Sequence, residues 1–219
     1  MSNLTLKSIK TSPYPNRVNL IFSDSSYLPF FVDDYIKLSL KKAQDIDKNL
    51  FSKLCQISYT YLLKDYAIRQ IALSPKTPKS LLQKLHQKRV FLLNKYPILK
   101  DHIDHTLAST QIIDQLKDQN LLDLSTYVDY VLRRFPHKSK NYLVSYLQNQ
   151  GVSPSDYSPS VFDKLDPQAL IKKYLLKKKY SSEDLTDFKT KNKVISSLLR
   201  KGFTLSEVKT AIDDYLIKL

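Results

Sequence analysis

Glycine is nearly missing from this chain, with two among 219 residues. Two glycines cannot build a Gly-rich loop that cradles phosphate, and there is no Walker pattern. Cysteine occurs once, at Cys55, which excludes an intrachain disulfide and any cysteine-rich metal site. Cys55 lies in the apolar run "LCQISYTYLL" and reads as a small buried hydrophobe. No run of 18 apolar residues is present, so no membrane span is expected. The segment "MSNLTLKSIKTSP" lacks the apolar core of a signal peptide, and the expectation is a cytoplasmic protein. Acidic residues are scarce relative to basic ones: 21 Asp and Glu against 35 Lys and Arg give a formal charge of +14. That field favours anionic partners such as nucleic acid or an acidic protein surface. A lysine-rich composition also puts lysine on every solvated face, so charge alone names no partner.

What is present is enough for a core. Apolar residues make up 42% of the chain, with 15 Tyr and 9 Phe, which argues against disorder. "RVNLIF" (17–22) and "YLPFFV" (27–32) are β-branched and aromatic runs joined by "SDSS", a hairpin signal. Pro29 assigns the second run to an edge strand. From about residue 46 the period changes to 3.6. Thr77-Pro78 reads as an N-cap followed by a first-turn proline. Pro97 is expected to open a helix through Leu116. Residues 120–134 place Leu124, Tyr127, Val128, Val131 and Leu132 on one face. Further helices are expected over 139–151, from Pro167, over Leu185–Lys201, and over Thr204–Lys218.

Both glycines fall at the same kind of place. Residues 143–156, "LVSYLQNQGVSPSD", align with 194–207, "VISSLLRKGFTLSE", at an offset of 51. The apolar positions, the glycine, the following hydrophobe, the Ser/Thr cap and the acid three residues later coincide. "LLQKLHQKRV" (81–90) fits the same frame with Arg89 where glycine would stand. This is a repeat of helix, helix, turn, helix taken three times. Gly supplies the left-handed residue that ends a helix, and Thr204-x-x-Glu207 caps the next one; Ser153-x-x-Asp156 is a weaker version. The expected fold is all-α, three tandem three-helix repeats in an elongated curved body behind a small β-hairpin extension. The expected segments are 1–45 for the extension and 46–117, 118–165 and 166–219 for the repeats.

Three stretches resemble the RecX regulatory family of bacteria. They are "LLRKGFTLSEVKTAI" (198–212), "LKDQNLLDLSTYVDYVLRR" (116–134) and "YAIRQIALSPKTPKSLLQKL" (66–85). The hairpin and "LKKAQDID" (40–47) also look like the extension many members carry. The sequence departs from the family pattern at Asn120, where glycine is frequent, at Arg89, and in "RRFPHKSKN". The resemblance implies a non-enzymatic, monomeric modulator that binds the RecA–DNA filament, restrains recombination and the SOS response, and needs no cofactor. The implied partners are the RecA filament and single- or double-stranded DNA, met directly or through the filament; the alternative reading is a general basic helical-repeat nucleic-acid-binding protein.

No active site emerges from the residues themselves. His102 and His105, with Asp101 and Asp104, are the nearest approach to a metal cluster, and a third ligand at diagnostic spacing is missing. The candidate filament- and DNA-binding residues are the basic clusters Arg133, Arg134, Lys138 and Lys140; Lys172, Lys173, Lys177, Lys178 and Lys179; and Arg200 and Lys201. Several lie near helix ends, where cations also suit the helix dipole.

Overall fold

The computed structural model describes residues 4–217. The chain divides into two compact units, Met1–Leu122 and Asp123–Leu219. Among the described residues it is mostly helical, with ten α-helices and one small sheet near the N-terminus.

In the first unit, β1 (Leu4–Thr11), β2 (Arg17–Phe22), β3 (Tyr27–Phe31) and β4 (Asp45–Ile46) form an antiparallel sheet in the order β3-β2-β1-β4. The alternation in β2 buries Val18, Leu20 and Phe22 and turns the residues between them toward the other face. β3 lies at the sheet edge, and Pro29 uses its carbonyl instead of its missing N–H: Ser58 Oγ donates to it at 2.7 Å. A short helix, α1 (Val32–Leu38), follows the sheet. The long helix α2 (Lys48–Leu73), capped by Asp47, lays Leu54, Cys55, Tyr59, Leu62 and Leu63 into the core. α3 (Pro78–Lys95) adds Leu81, Leu85 and Leu92, and α4 (His105–Asp118) adds Ala108, Ile112 and Leu116.

Two expectations fail in this unit. The helix expected from Pro97 is only a single 3₁₀ turn, Pro97–Leu99, and α4 starts at His105, where Asp104 accepts from Leu107 N at 2.9 Å. The turn expected at Arg89 does not form either. Arg89 is an exposed mid-helix residue of α3, because Leu85 and Leu92 keep one apolar face running past it.

The second unit contains α5 (Leu124–Arg134), α6 (Lys140–Asn149), α7 (Pro167–Lys178), α8 (Ser182–Thr186), α9 (Phe188–Leu199) and α10 (Leu205–Leu216). Tyr127, Val128, Val131, Leu143, Leu147, Val152 and Phe162 form one apolar cluster. Ile171, Leu175, Leu185, Val194, Leu198, Phe203, Val208 and Ile212 anchor another. The single helix expected over 185–201 is two. Asp187 closes α8 and caps α9, its carboxylate accepting from Thr190 N at 2.8 Å. Between α6 and α7 the chain makes 3₁₀ turns at Pro154–Asp156 and Pro159–Phe162, and the Ser153–Asp156 box caps the first of them.

The glycine alignment survives at atomic detail. Gly151 N donates to Gln148 O (2.9 Å) and Val152 N to Leu147 O (3.0 Å); 51 residues on, Gly202 N donates to Leu199 O (2.8 Å) and Phe203 N to Leu198 O (3.3 Å). These are paired Schellman bonds around left-handed residues. Asn120 and Lys179 close α4 and α7 in the same way, with φ of 55° and 56°; the glycines sit at 80° and 90°, beyond the comfortable range of a residue with a Cβ.

Candidate functional site

The most basic part of the second unit is built on α7. Asp166 accepts from Gln168 N at 2.9 Å and Pro167 occupies the first turn, so the helix start is firmly set. Ile171 and Leu175, four apart, are fully buried. Their burial turns Lys172, Lys173, Lys177 and Lys178 to solvent. The helix ends at Lys179, whose left-handed backbone closes the Schellman turn.

The turn between α9 and α10 reaches back to the start of α6. Ser139 N donates to the carbonyl of Lys201 at 3.1 Å, and Ser139 also caps α6. The approach is so close that a Cβ on Gly202 would stand 2.5 Å from Ser139 Oγ and 2.8 Å from Tyr142 N. Glycine at 202 therefore satisfies both a backbone dihedral and a packing distance. The result brings Lys201 beside α7, with its Nζ 5.2 Å from the centre of the Tyr174 ring.

His137, Lys173, Tyr174, Lys177, Lys178 and Lys201 line a cleft of about 200 Å³. No carboxylate is among its walls. Four of the sequence-nominated residues thus converge here: Lys173, Lys177, Lys178 and Lys201. The others occupy separate positions. Arg134 donates to Tyr130 Oη at 2.7 Å and lies over Phe135. Lys138 Nζ sits 3.7 Å from the Tyr142 ring centre, and its loss of water lowers its pKa. Lys140 faces Phe162 at 5.7 Å. Arg133, Lys172, Lys179 and Arg200 are exposed and outside the cleft walls. His137 was missed as a wall residue; its place within "RRFPHKSKN", amid cations, was the available signal.

The arrangement can hold an anion but offers no nucleophile poised against a base. Lysine ammonium groups around a concave surface suit phosphate oxygens or clustered carboxylates.

Three comparisons bear on this geometry. The family description "RecX, third three-helix domain" matches residues 166–212, which contain α7, the Gly202 joint and most of α10. Regulatory protein RecX of Finegoldia magna is 26% identical over 193 residues, covering 81% of this chain and 83% of the relative. A crystal structure of a regulatory protein RecX superposes with a TM-score of 0.60 at 19% identity, covering 96% of this chain and 99% of that one; it speaks to the fold. The matched domain, the relative and the fold together support a RecX family protein.

Of the two turn positions at which its sequence departs from the family pattern, Asn120 keeps the turn and Arg89 does not. Asn120 adopts φ 55°, as asparagine can at modest energetic cost. The histidines that looked like a weak metal pair do something else. His102 precedes α4 and packs edge-on to Phe51 at 5.0 Å. His105 is buried in a polar chain: its Nδ1 lies 2.6 Å from Tyr59 Oη and its Nε2 lies 2.9 Å from His86 Nδ1. Burial first, then the neighbouring His86 and Arg89 charges, pushes His105 down to about 4, so it is neutral at pH 7. Among the described residues no group of three His, Cys, Asp or Glu side chains could hold a metal ion. Cys55 is fully buried, and its thiol is pushed up to about 12 by burial. No described helix is long and apolar enough to cross a membrane.

Proposed function

We propose that this chain is a non-enzymatic, cytoplasmic and monomeric regulator that binds the RecA–DNA filament and inhibits recombinase activity, so damping recombination and the SOS response. In this reading 46–117, 118–165 and 166–219 are its three repeats, and 1–45 is an extension. The observation that carries it is the family-matched third domain, which supplies both the Gly202 joint and most of the cation-lined cleft. Lys173, Lys177, Lys178 and Lys201 meet phosphates or acidic side chains of the filament within the cleft. Arg133, Arg134, Lys138, Lys140, Lys172, Lys179 and Arg200 extend the same attraction from the flanking surface.

The test is RecA-driven strand exchange with the purified protein titrated in. Exchange is expected to slow at or below one protein per RecA, and electron microscopy of those filaments should show added density in the filament groove. Unchanged exchange at stoichiometric protein sinks the reading; tight DNA binding in that same result favours the general nucleic-acid-binding alternative.

A further inference from the structure

The first unit has a basic and aromatic surface of its own, outside every residue assigned above. On α3, Lys84, Lys88, Phe91 and Lys95 recur at i, i+4, i+7 and i+11, which makes one stripe along the helix. Lys88, Phe91 and Lys95 of this stripe form one wall of a cleft of about 170 Å³ that also contains Tyr14, Arg17, Tyr66 and Arg69.

Its charges are unbalanced. Asp65 is the only carboxylate among the walls, and it is already shared, lying 3.5 Å from Arg17 Nη2 and 3.2 Å from Arg69 Nη2. Lys88 and Lys95 have no described ion-pair partner. Lys88 instead stands 3.7 Å from the Phe91 ring centre and 5.2 Å from that of Tyr66, and Lys95 stands 5.4 Å from that of Tyr96. Loss of water, then the nearby Lys95 and Arg69 charges, lowers the pKa of Lys88. A bound anion would relieve that crowding.

Two of its rings are largely open, with a cation at one face of each. Phe91 is 53% exposed and Tyr14 57% exposed, although both line the cleft. Arg17, by contrast, is held rigidly. Its side chain is 12% exposed, its Nε donates to Tyr61 Oη at 2.8 Å, and its guanidinium lies 4.9 Å from the Tyr14 ring centre. Open rings beside unpaired cations match one ligand class: a chain of phosphates whose bases are free to stack. Duplex bases are already stacked on each other and cannot use the rings.

We propose that this cleft binds single-stranded nucleic acid, seating a base on the exposed Tyr14 and Phe91 rings and the adjoining phosphates on Lys88 and Lys95. The site is separate from the lysine cleft of the second unit and requires no RecA, so its test stands or falls apart from the filament reading.

The test is fluorescence anisotropy of the full chain with labelled oligothymidylate and oligouridylate, without RecA. Tyr14→Ala combined with Phe91→Ala is expected to weaken binding at least about fivefold, the lower end of what one stacked base contributes. Lys88→Gln combined with Lys95→Gln is expected to flatten the log–log salt dependence by about 1.4, the slope of two single-strand phosphate contacts. Circular dichroism melts check that each variant is folded; if the ring variant unfolds, the salt slope of the lysine variant decides. A fall with either strand supports the site. The proposal is overturned if the parent chain binds neither strand, or if both variants bind with parental affinity and parental salt slope.

Discussion

At the scale of single residues, four helix ends share one turn and differ in what they demand of the left-handed position. Lys179 and Asn120 hold φ near 55°, where a Cβ is tolerated at a penalty of about 1–2 kcal/mol. Gly151 and Gly202 lie at 80° and 90°. Gly202 has the further demand that its missing side chain leaves room for Ser139 and Tyr142 N. Backbone atoms do not swing aside like the end of a lysine, so the second demand adds to the first. Gly202→Ala is therefore expected to lower stability by at least about 2 kcal/mol, and more than Gly151→Ala, by adding overpacking to left-handed strain. Urea unfolding midpoints of the two variants check the order. Lys179→Gly should move the other way, by up to about 1 kcal/mol, because it removes the strain at the same φ.

His105 is the residue whose environment gives a pH signature. Its neighbours on the packed elements are Tyr59, His86, Ser109, Arg89 and Asp104; burial, His86 and Arg89 favour the neutral ring, and Asp104 opposes them. The folded pKa, about 4, lies below the value near 6.5 of the unfolded chain. Between those values the unfolded state binds the extra proton, so stability is whole above about pH 6.5 and declines as pH falls toward 4. The decline is expected to reach roughly 1–3 kcal/mol, because each pH unit separating the folded from the unfolded pKa is worth about 1.4 kcal/mol. Urea midpoints at pH 7 and pH 5 measure it, and His105→Gln should remove most of the slope. An equal slope in that variant would assign the effect to other groups.

At the scale of elements, caps decide where helices start, and they explain what could be read in the sequence. Thr77-Pro78, Asp166-Pro167 and Thr204-x-x-Glu207 are signals of composition and spacing, and each opens a helix where the spacing places it. β2 was legible because one of its faces is buried and the other is not, which writes a period of two into the residues. β1 was not, since Leu6 is the only buried residue among its eight. β4, with two residues, is too short to carry a pattern. The helix breaks at Asp104 and Asp187 were missed for one reason: an aspartate inside an apolar-periodic run looks like a solvated helix residue until its carboxylate is seen to accept from the backbone three residues on. Arg89 shows the converse, a pattern match without the left-handed residue that gave the pattern its meaning.

Asp123 shows the strength of such a cap. Its carboxylate accepts from Ser125 N at 3.2 Å and Thr126 N at 2.9 Å, and from both hydroxyls at 2.6 Å. The hydroxyls of Ser125 and Thr126 first, then the backbone, hold its pKa well below the usual carboxylate range. Asp123→Ala is expected to lower stability by about 1 kcal/mol, and Asp123→Asn by much less, because asparagine keeps an acceptor at the cap. Thermal melts at neutral pH separate the two. Equal losses would mean that charge, and not the acceptor, holds the start of α5.

At the scale of the whole molecule, charge identifies less than geometry does. The chain carries +14, yet the described ion pairs, Arg17–Asp65, Arg69–Asp65 and Lys117–Asp114, all lie in the first unit. The lysines of α7 are thus free to act outward, and sequence alone nominated them as a group. It could not divide them, because a helix of 3.6 residues per turn sends Lys172 and Lys173 to solvent at different angles, and only Lys173 meets a turn arriving from residue 201. Long-range attraction and local contact make different demands here. At physiological salt the Debye length is about 8 Å, so a general field treats neighbouring lysines alike, whereas a cleft does not. Lys173→Glu with Lys178→Glu changes net charge by the same amount as Lys172→Glu with Lys179→Glu. If the cleft carries filament binding, the first pair should relieve inhibition of RecA strand exchange at least tenfold in the protein concentration required, and the second pair only slightly. The melting temperature should change little in the first pair, since Lys173 and Lys178 are exposed and unpaired. Equal relief by both pairs would show that the field of the protein, and not the joint made by Gly202, governs association.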